Sequence, residues 1–356
     1  MRMDYGIAGV IAADSWKLVR RAEQLGFSHA WFYDSPLFVA DLSVAMAAAA
    51  MQTSRIRLGM GVAVPSVRIA PTMANTLASL NKLAPGRIDF GVGTGNTARS
   101  LMGVGALKLA EMQEYIRVVQ GLLAGELVDY EFEGALRKIR FMHPVPELVE
   151  TRDPIPLHIS AMRPRARKLT AELGAGWINF MTGVPAAVAD LQDMLTKWKA
   201  AGRHPAPCYT TGFTLGCVLA EGEPYDSPRA KAQAGPHAAM VLQHMVGAAH
   251  RTDLEAQGPT ELRALVAEYQ KIYESCEPHD ARYLQFFRGH LMYLLPEEEH
   301  LIKGDLIREL TFTGTKPELR DKLRMLRDAG YRQWTIQLVP GHEDAIEDWA
   351  RVIEGV

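Results

Sequence analysis

Along this chain, short bursts of alternating apolar and polar residues take turns with longer stretches of helical period. Tyr5–Val10, Ser28–Tyr33 and Ile56–Val64 are the first three bursts and are expected strands. The helix after the first carries Leu18, Val19, Ala22 and Leu25 on one side, with Asp14 or Ser15 to cap it and Gly26 to stop it. Asp41–Met51 is the second expected helix, and Pro71 opens a third, where its missing N–H costs nothing. The fourth burst, RIDFGVGTGN (Arg87–Asn96), alternates Ile88, Phe90 and Val92 with small or polar residues and then turns to glycine. Glycines this dense fit either close approach of a planar ligand to the main chain or tight packing of neighbouring side chains. Leu107–Leu123 is a long amphipathic helix.

The rhythm pauses at 126–154, where Leu127–Phe132 and Lys138–Met142 form an expected hairpin around Gly134, and then resumes. Pro156–Ser160, Trp177–Phe180, Thr210–Leu219 and Trp334–Val339 are the last four strands; Arg163–Leu173, Pro185–Ala200, Lys316–Ala329 and His342–Ile353 are their helices. A second interruption, 220–309, is mostly helical by pattern (Ala238–Ala248, Thr260–Tyr273, Ala281–Leu291) and starts with many glycines and prolines, which suits a mobile lid. Eight strands alternating with eight helices predict a single α/β domain over 1–356, a (β/α)8 TIM barrel with insertions after strands 4 and 7. A doubly wound sheet fits less well. The first βα turn has no phosphate-binding glycine fingerprint, and GVGTGN does not open directly onto a helix in this reading.

Composition narrows the function classes. The 356 residues are 48% apolar and 22% charged, with a net charge of -2, so nothing points to nucleic acid. Three widely spaced cysteines fit neither a disulfide framework nor a thiolate metal site. No metal is expected. The most apolar helix is far too short to cross a bilayer, and the expected location is the cytoplasm.

Candidate chemistry sits at the carboxyl ends of the strands. Asp34 follows strand two, Thr94 and Asn96 follow strand four, and a neutral amide can both donate to and accept from a ligand ring. His158 and Ser160 share one side of strand five, so His158 either looks up into the site or is a hydrogen-bonded core histidine. Ser160, Ala161, Met162 and Arg163 lead straight into a helix, and Thr182-Gly183 repeats the arrangement after strand six; two such turns side by side suit an anion. Arg87, on the opposite face, is expected to be a structural ion-pair residue. The mouth offers polarity without a reactive set, as expected where a cofactor carries the hard step.

Six stretches resemble the bacterial luciferase-like superfamily of flavin-dependent monooxygenases and F420-dependent reductases. They are AEQLGFSHAWFYD (Ala22–Asp34), TSRIRLGMGVAVP (Thr53–Pro65), APTMANTLASLNKLAPGRIDFGVGTG (Ala70–Gly95), LKLAEMQEYIRVVQGLLAGE (Leu107–Glu126), PLHISAMRPRARKLTAELGAGWI (Pro156–Ile178) and FTGTKPELRDKLRMLRDAG (Phe312–Gly330). The resemblance implies a TIM barrel, usually dimeric, that holds FMN or F420 over Val62, Ala63 and Asn96, with a non-prolyl cis peptide around Gly61–Ala63. It implies a phosphate site at Ser160–Arg163, beside Thr182 and Gly183. Asp34-Ser35 stands where many members have a histidine, and the turn after strand five lacks the usual glycine. The reading this supports first is a monooxygenase that uses reduced FMN and O2 on a small organic substrate, with a separate NAD(P)H:flavin reductase as partner. The alternatives are an F420-dependent hydride-transfer enzyme, with Arg163, Arg165 and Arg167 serving its acidic tail, and a non-catalytic flavin-binding protein.

Overall fold

The computed structural model describes residues 2–9, 11–204, 207–249 and 260–356. Val10, expected to end the first strand, and residues 250–259 of the expected second insertion lie outside them. Eight parallel strands close a barrel: β1 (Asp4–Gly9), β2 (His29–Phe32), β3 (Arg57–Met60), β4 (Ile88–Val92), β5 (Leu157–Ser160), β6 (Gly176–Phe180), β7 (Thr210–Thr214) and β8 (Gln333–Leu338). Each strand pairs with its neighbours in chain order and β8 returns to β1, with Ile7 opposite Ile336. This is the TIM barrel expected from the pattern.

Local chemistry explains the boundaries. Asp41 caps the helix Leu42–Gln52 by accepting from the N–H groups of Ser43 (2.8 Å) and Val44 (3.1 Å). Thr315 and Glu318 form a capping box on Lys316–Ala329, and Gly330 ends that helix in a left-handed conformation. The main core lies between strands and helices, where Trp177, Trp334 and Trp349 are buried. A smaller cluster of Ala8, Trp31, Ile178 and Phe213 fills the barrel itself. Trp31 is its plug, and its Nε1 donates to Gln333 at 3.2 Å.

The glycines of β3 and β4 answer to packing. A Cβ on Gly59 would stand 2.4 Å from the Trp31 ring, one on Gly91 1.9 Å from the Met60 carbonyl oxygen, and one on Gly93 2.7 Å from Val62. Of the two explanations open in the sequence, tight packing therefore accounts for Gly91 and Gly93. The Gly61–Val62 peptide is cis, where the family resemblance implies one.

Several expectations need correction. Thr210–Leu219 is not one strand; β7 stops at Thr214, and Val218–Leu219 pairs separately with Gly314–Thr315. The second arm of the hairpin is Ala135–Ile139, starting directly after the turn at Glu133-Gly134. Ala281–Leu291 is broken into a 3-10 turn at His279–Ala281 and a single helical turn at Tyr283–Phe286. Gly235 and Pro236, expected in a flexible lead-in, lie inside the helix Pro228–Ala249, whose Ala230, Ala234 and Ala238 are buried. Arg87 forms no ion pair among the described residues. Its guanidinium instead donates to the carbonyls of Ala50, Thr53 and Ile56 and to Thr53 Oγ1, at 3.0–3.2 Å. No helix among the described residues is long and apolar enough to cross a membrane.

Candidate functional site

The two mouths of the barrel are built differently. At the amino-terminal mouth, Arg57, Asp89, His29, His158, Asp4 and Tyr209 line a cavity of about 480 Å³. Arg57 holds Asp89 at two points (2.7 and 2.9 Å), and Tyr209 donates to Asp4 at 2.7 Å. His158 belongs here. Its Nε2 stands 3.4 Å from Asp89 Oδ1, and its ring meets Trp31 and Tyr209 edge-on. The expectation that His158 looks up into the carboxyl-end site is therefore corrected. It sits in the second position of its strand, and the inward side chain that does reach the other end is Ser160.

At the carboxyl-terminal mouth the remaining candidates assemble. Val62, Tyr33 and Phe180 line the wall above Trp31. Ala63 is buried and ties β3 to β4, donating to the Gly91 carbonyl at 2.9 Å and accepting from Gly93 N–H at 3.0 Å. Thr94 is half-buried and Asn96 exposed. The expectation that GVGTGN does not open directly onto a helix is corrected: Asn96 starts the short helix Asn96–Ser100, with Gly95 before it at φ 80°. Only glycine takes that conformation without strain.

Asp34 is buried and committed. Both its oxygens are 3.3 Å from Arg68 Nε, and Arg68 also reaches Asp41 at 2.6 Å. Burial raises the Asp34 carboxyl and the Arg68 charge opposes the rise. That pairing makes Asp34 an anchor of the loop after β2 more than a free acid or base.

Beyond β5, Ala161 is fixed by two backbone contacts: its N–H donates to the Ile178 carbonyl (3.1 Å) and its carbonyl accepts from Trp177 Nε1 (2.9 Å). Met162 is exposed, and its sulfur accepts from Phe180 N–H at 3.3 Å. Arg163 precedes the helix Pro164–Leu173; Arg163 and Arg165 are exposed, without a side-chain hydrogen bond or ion pair to any described residue. Arg167 differs, being buried and held by Asp190 (2.8 Å) and Asp193 (2.6 Å). It is unavailable to a ligand. Thr182 and Gly183 lie at the adjacent strand end, but a Cβ on Gly183 would be 2.6 Å from the Glu309 carbonyl, so this turn is partly covered by the second insertion.

That insertion contributes groups the sequence reading missed. His237 is fully buried against Phe180 and accepts from Leu215 N–H at 3.2 Å; burial pushes its ring down to about 4. His290 contacts Thr97, and Gln337 of β8 donates to the Leu291 carbonyl. Gln337 had a legible signal, because QWTIQL alternates polar and apolar residues through β8. His290 had none, since it lies in a turn beyond the short helix Tyr283–Phe286, where no period runs.

The luciferase-like monooxygenase family model matches residues 11–333. The chain belongs to that family. Relatives to which it is similar include proteins named as dehydrogenases and monooxygenases. It is 32% identical over 139 residues to an F420-dependent glucose-6-phosphate dehydrogenase of Beutenbergia cavernae, covering 37% of this chain and 40% of that protein. It is 29% identical over 192 residues to limonene 1,2-monooxygenase of Rhodococcus erythropolis, covering 52% and 48%. In both cases the chain spans less than half the length of the relative. Its fold matches that of the coenzyme F420-dependent tetrahydromethanopterin reductase of Methanopyrus kandleri, with a TM-score of 0.71 at 19% identity over 100% of this chain and 99% of the other.

Proposed function

We propose that this family member binds a flavin-type cofactor across the carboxyl-terminal mouth and uses F420 to move a hydride to or from a small organic substrate. The observation that carries this reading is the rim after β5. Arg163 and Arg165 are exposed there without a side-chain partner among the described residues, at the start of a helix that no side chain caps. One phosphate would occupy one such group; a phosphodiester followed by an acidic tail would use both. The relative and the solved structure that use F420 support the same choice.

The residues present fit such a cofactor. Ser160 and Arg163 would hold the phosphate, Val62 and Ala63 would back the ring, and Asn96 would meet its polar edge. The cofactor would supply hydride transfer; the chain's part is to orient the ring and to keep water from it. An FMN-dependent monooxygenase is the second reading, favoured by the limonene 1,2-monooxygenase similarity. Asp34, Thr182 and Gly183 support the mouth in either reading, and His158 is assigned to the opposite end.

Incubation with equimolar FMN and F420, followed by desalting and an absorbance spectrum, tests the choice. Retention of F420 is expected, and retention of FMN alone would overturn it. Arg163→Ala should weaken F420 binding by about 1–3 kcal/mol while leaving the phosphate-free deazaflavin chromophore unaffected. An equal effect on both ligands would remove Arg163 from the phosphate site.

A further inference from the structure

The second insertion is tied to the barrel at two places that face each other across the carboxyl-terminal mouth. His290 Nε2 lies 3.1 Å from Thr97 Oγ1, in the short helix after β4. The next residue, Leu291, accepts at its carbonyl from Gln337 Nε2 of β8 at 2.9 Å. β4 and β8 are four places apart in a ring of eight strands and so stand opposite each other. The His290–Leu291 dipeptide therefore crosses the mouth. Leu291 does so at φ 57°, a conformation few side-chain-bearing residues adopt.

Behind His290 runs a buried chain whose direction can be derived. Glu298 is buried; its Oε2 accepts from Leu295 N–H at 2.9 Å, and its Oε1 accepts from the Tyr269 hydroxyl and from Gln243 Nε2. The Gln243 amide nitrogen also faces the Phe286 carbonyl, so both groups around it are acceptors. That fixes the amide orientation and turns Gln243 Oε1 toward His290 Nδ1, 2.6 Å away. An amide oxygen cannot donate, so His290 must carry its proton on Nδ1. Burial pushes the ring down to about 3, so it is neutral and its Nε2 is a lone pair. Thr97 must then donate to it. The Thr97 oxygen is left with lone pairs only.

We propose that Glu298, Gln243 and His290 are positioning residues that fix the Thr97 hydroxyl as a hydrogen-bond acceptor at the mouth, so that this rim selects a ligand group that donates, a hydroxyl or N–H, over a bare carbonyl. The selection arises because a carbonyl placed against an acceptor-only oxygen loses its hydration and gains no partner. His290 acts through Thr97 and need not touch the ligand. Only the last arm of the test rests on the F420 reading.

The first arm needs no ligand. The full chain is labelled with nitrogen-15 histidine, and His290 is assigned by comparison with His290→Gln and with Thr97→Val. Protonation at Nδ1 is expected in the wild type and in Thr97→Ser; protonation at Nε2 overturns the proposal. In the second arm the F420-loaded protein is titrated with 2-propanol and with acetone, probes of similar size of which only the alcohol donates. The wild type and Thr97→Ser should prefer 2-propanol by about tenfold, one hydrogen bond's worth, and the near-isosteric Thr97→Val should lose that preference. No preference in the wild type, or a preference that survives in Thr97→Val, overturns the proposal. If the protein retains FMN and not F420, the cofactor reading fails by itself. The same titration on the FMN-loaded protein, with the tautomer measurement, still decides the role of Thr97.

Discussion

Asp89→Asn should destabilise the protein without changing cofactor binding, because Asp89 belongs to the amino-terminal mouth. Its buried carboxylate accepts from Arg57 Nη2 at 2.7 Å and from Arg57 Nε at 2.9 Å. Burial would raise this carboxyl, but His158 and Arg57 together outweigh it and hold it down to about 2. Of the two, Arg57 is the firmer partner: His158 Nε2 is 3.4 Å away and forms no well-aligned hydrogen bond. A drop from the ordinary value near 3.9 to about 2 corresponds to about 2–3 kcal/mol of stability. The sign follows from the depressed folded-state value. The contribution is present above about pH 4 and is lost as the pH falls toward 2. Asparagine keeps the shape, removes the charge and leaves Arg57 without its counter-ion, although partial exposure of Arg57 lets water recover some of the cost. Urea unfolding of both proteins between about pH 7 and pH 3 measures the effect. The wild type should lead by about 2 kcal/mol at neutral pH, and the gap should narrow steadily below about pH 4. Equal stability at pH 7, or a gap that stays constant down to pH 3, would refute the reasoning. A parallel loss of cofactor affinity would show that the two mouths are coupled.

Gly91→Ala should prevent accumulation of folded protein, since its Cβ would lie 1.9 Å from the Met60 carbonyl, a backbone atom that cannot swing away. A soluble variant with wild-type melting would mean that β3 and β4 can separate at low cost. Asn96→Ala, at an exposed position, should leave the ligand-free melting temperature unchanged and weaken cofactor binding by roughly 1–3 kcal/mol. Calorimetry with titration separates the two effects; lower stability with intact binding would make Asn96 a helix-start residue only.

The barrel was legible because its strands and helices carry opposite periods. QWTIQL in β8 sends Trp334 and Ile336 outward and Thr335 and Gln337 inward, and that alternation is written in the residues. What the residues do not state is height along the barrel axis. His158 and Ser160 share a side of β5, yet two positions along the strand separate the amino-terminal charge cluster from the carboxyl-terminal rim. The pattern put His158 and Ser160 on one side of the strand and left open whether His158 looks into the site; the structure puts it beside Asp89 at the amino-terminal end. Asn96 shows a second limit. A five-residue helix has too little length for a period, so its start at Gly95 is visible only in the left-handed backbone.

The insertion marks a third limit, and here the reason is physical as well as statistical. Several of its polar groups find partners across long separations, within the insertion or on the barrel: Gln243 in Glu298 and His290, His290 in Thr97, Leu291 in Gln337. No spacing in the sequence can announce such pairs, because each half looks like an ordinary polar residue on a loop or helix. Once folded, they leave few degrees of freedom, since moving His290 would strand the buried Gln243 Oε1, while the half-buried Thr97 hydroxyl would lose its partner at the mouth. These contacts favour a proposal in which the insertion forms part of the mouth's wall, and limited proteolysis with and without cofactor tests it against the mobile lid expected from its glycines and prolines. If the proposed role of Thr97 holds, differences in ligand choice between this chain and its relatives should trace to 97, 243, 290 and 298, positions outside the stretches that carry the family resemblance.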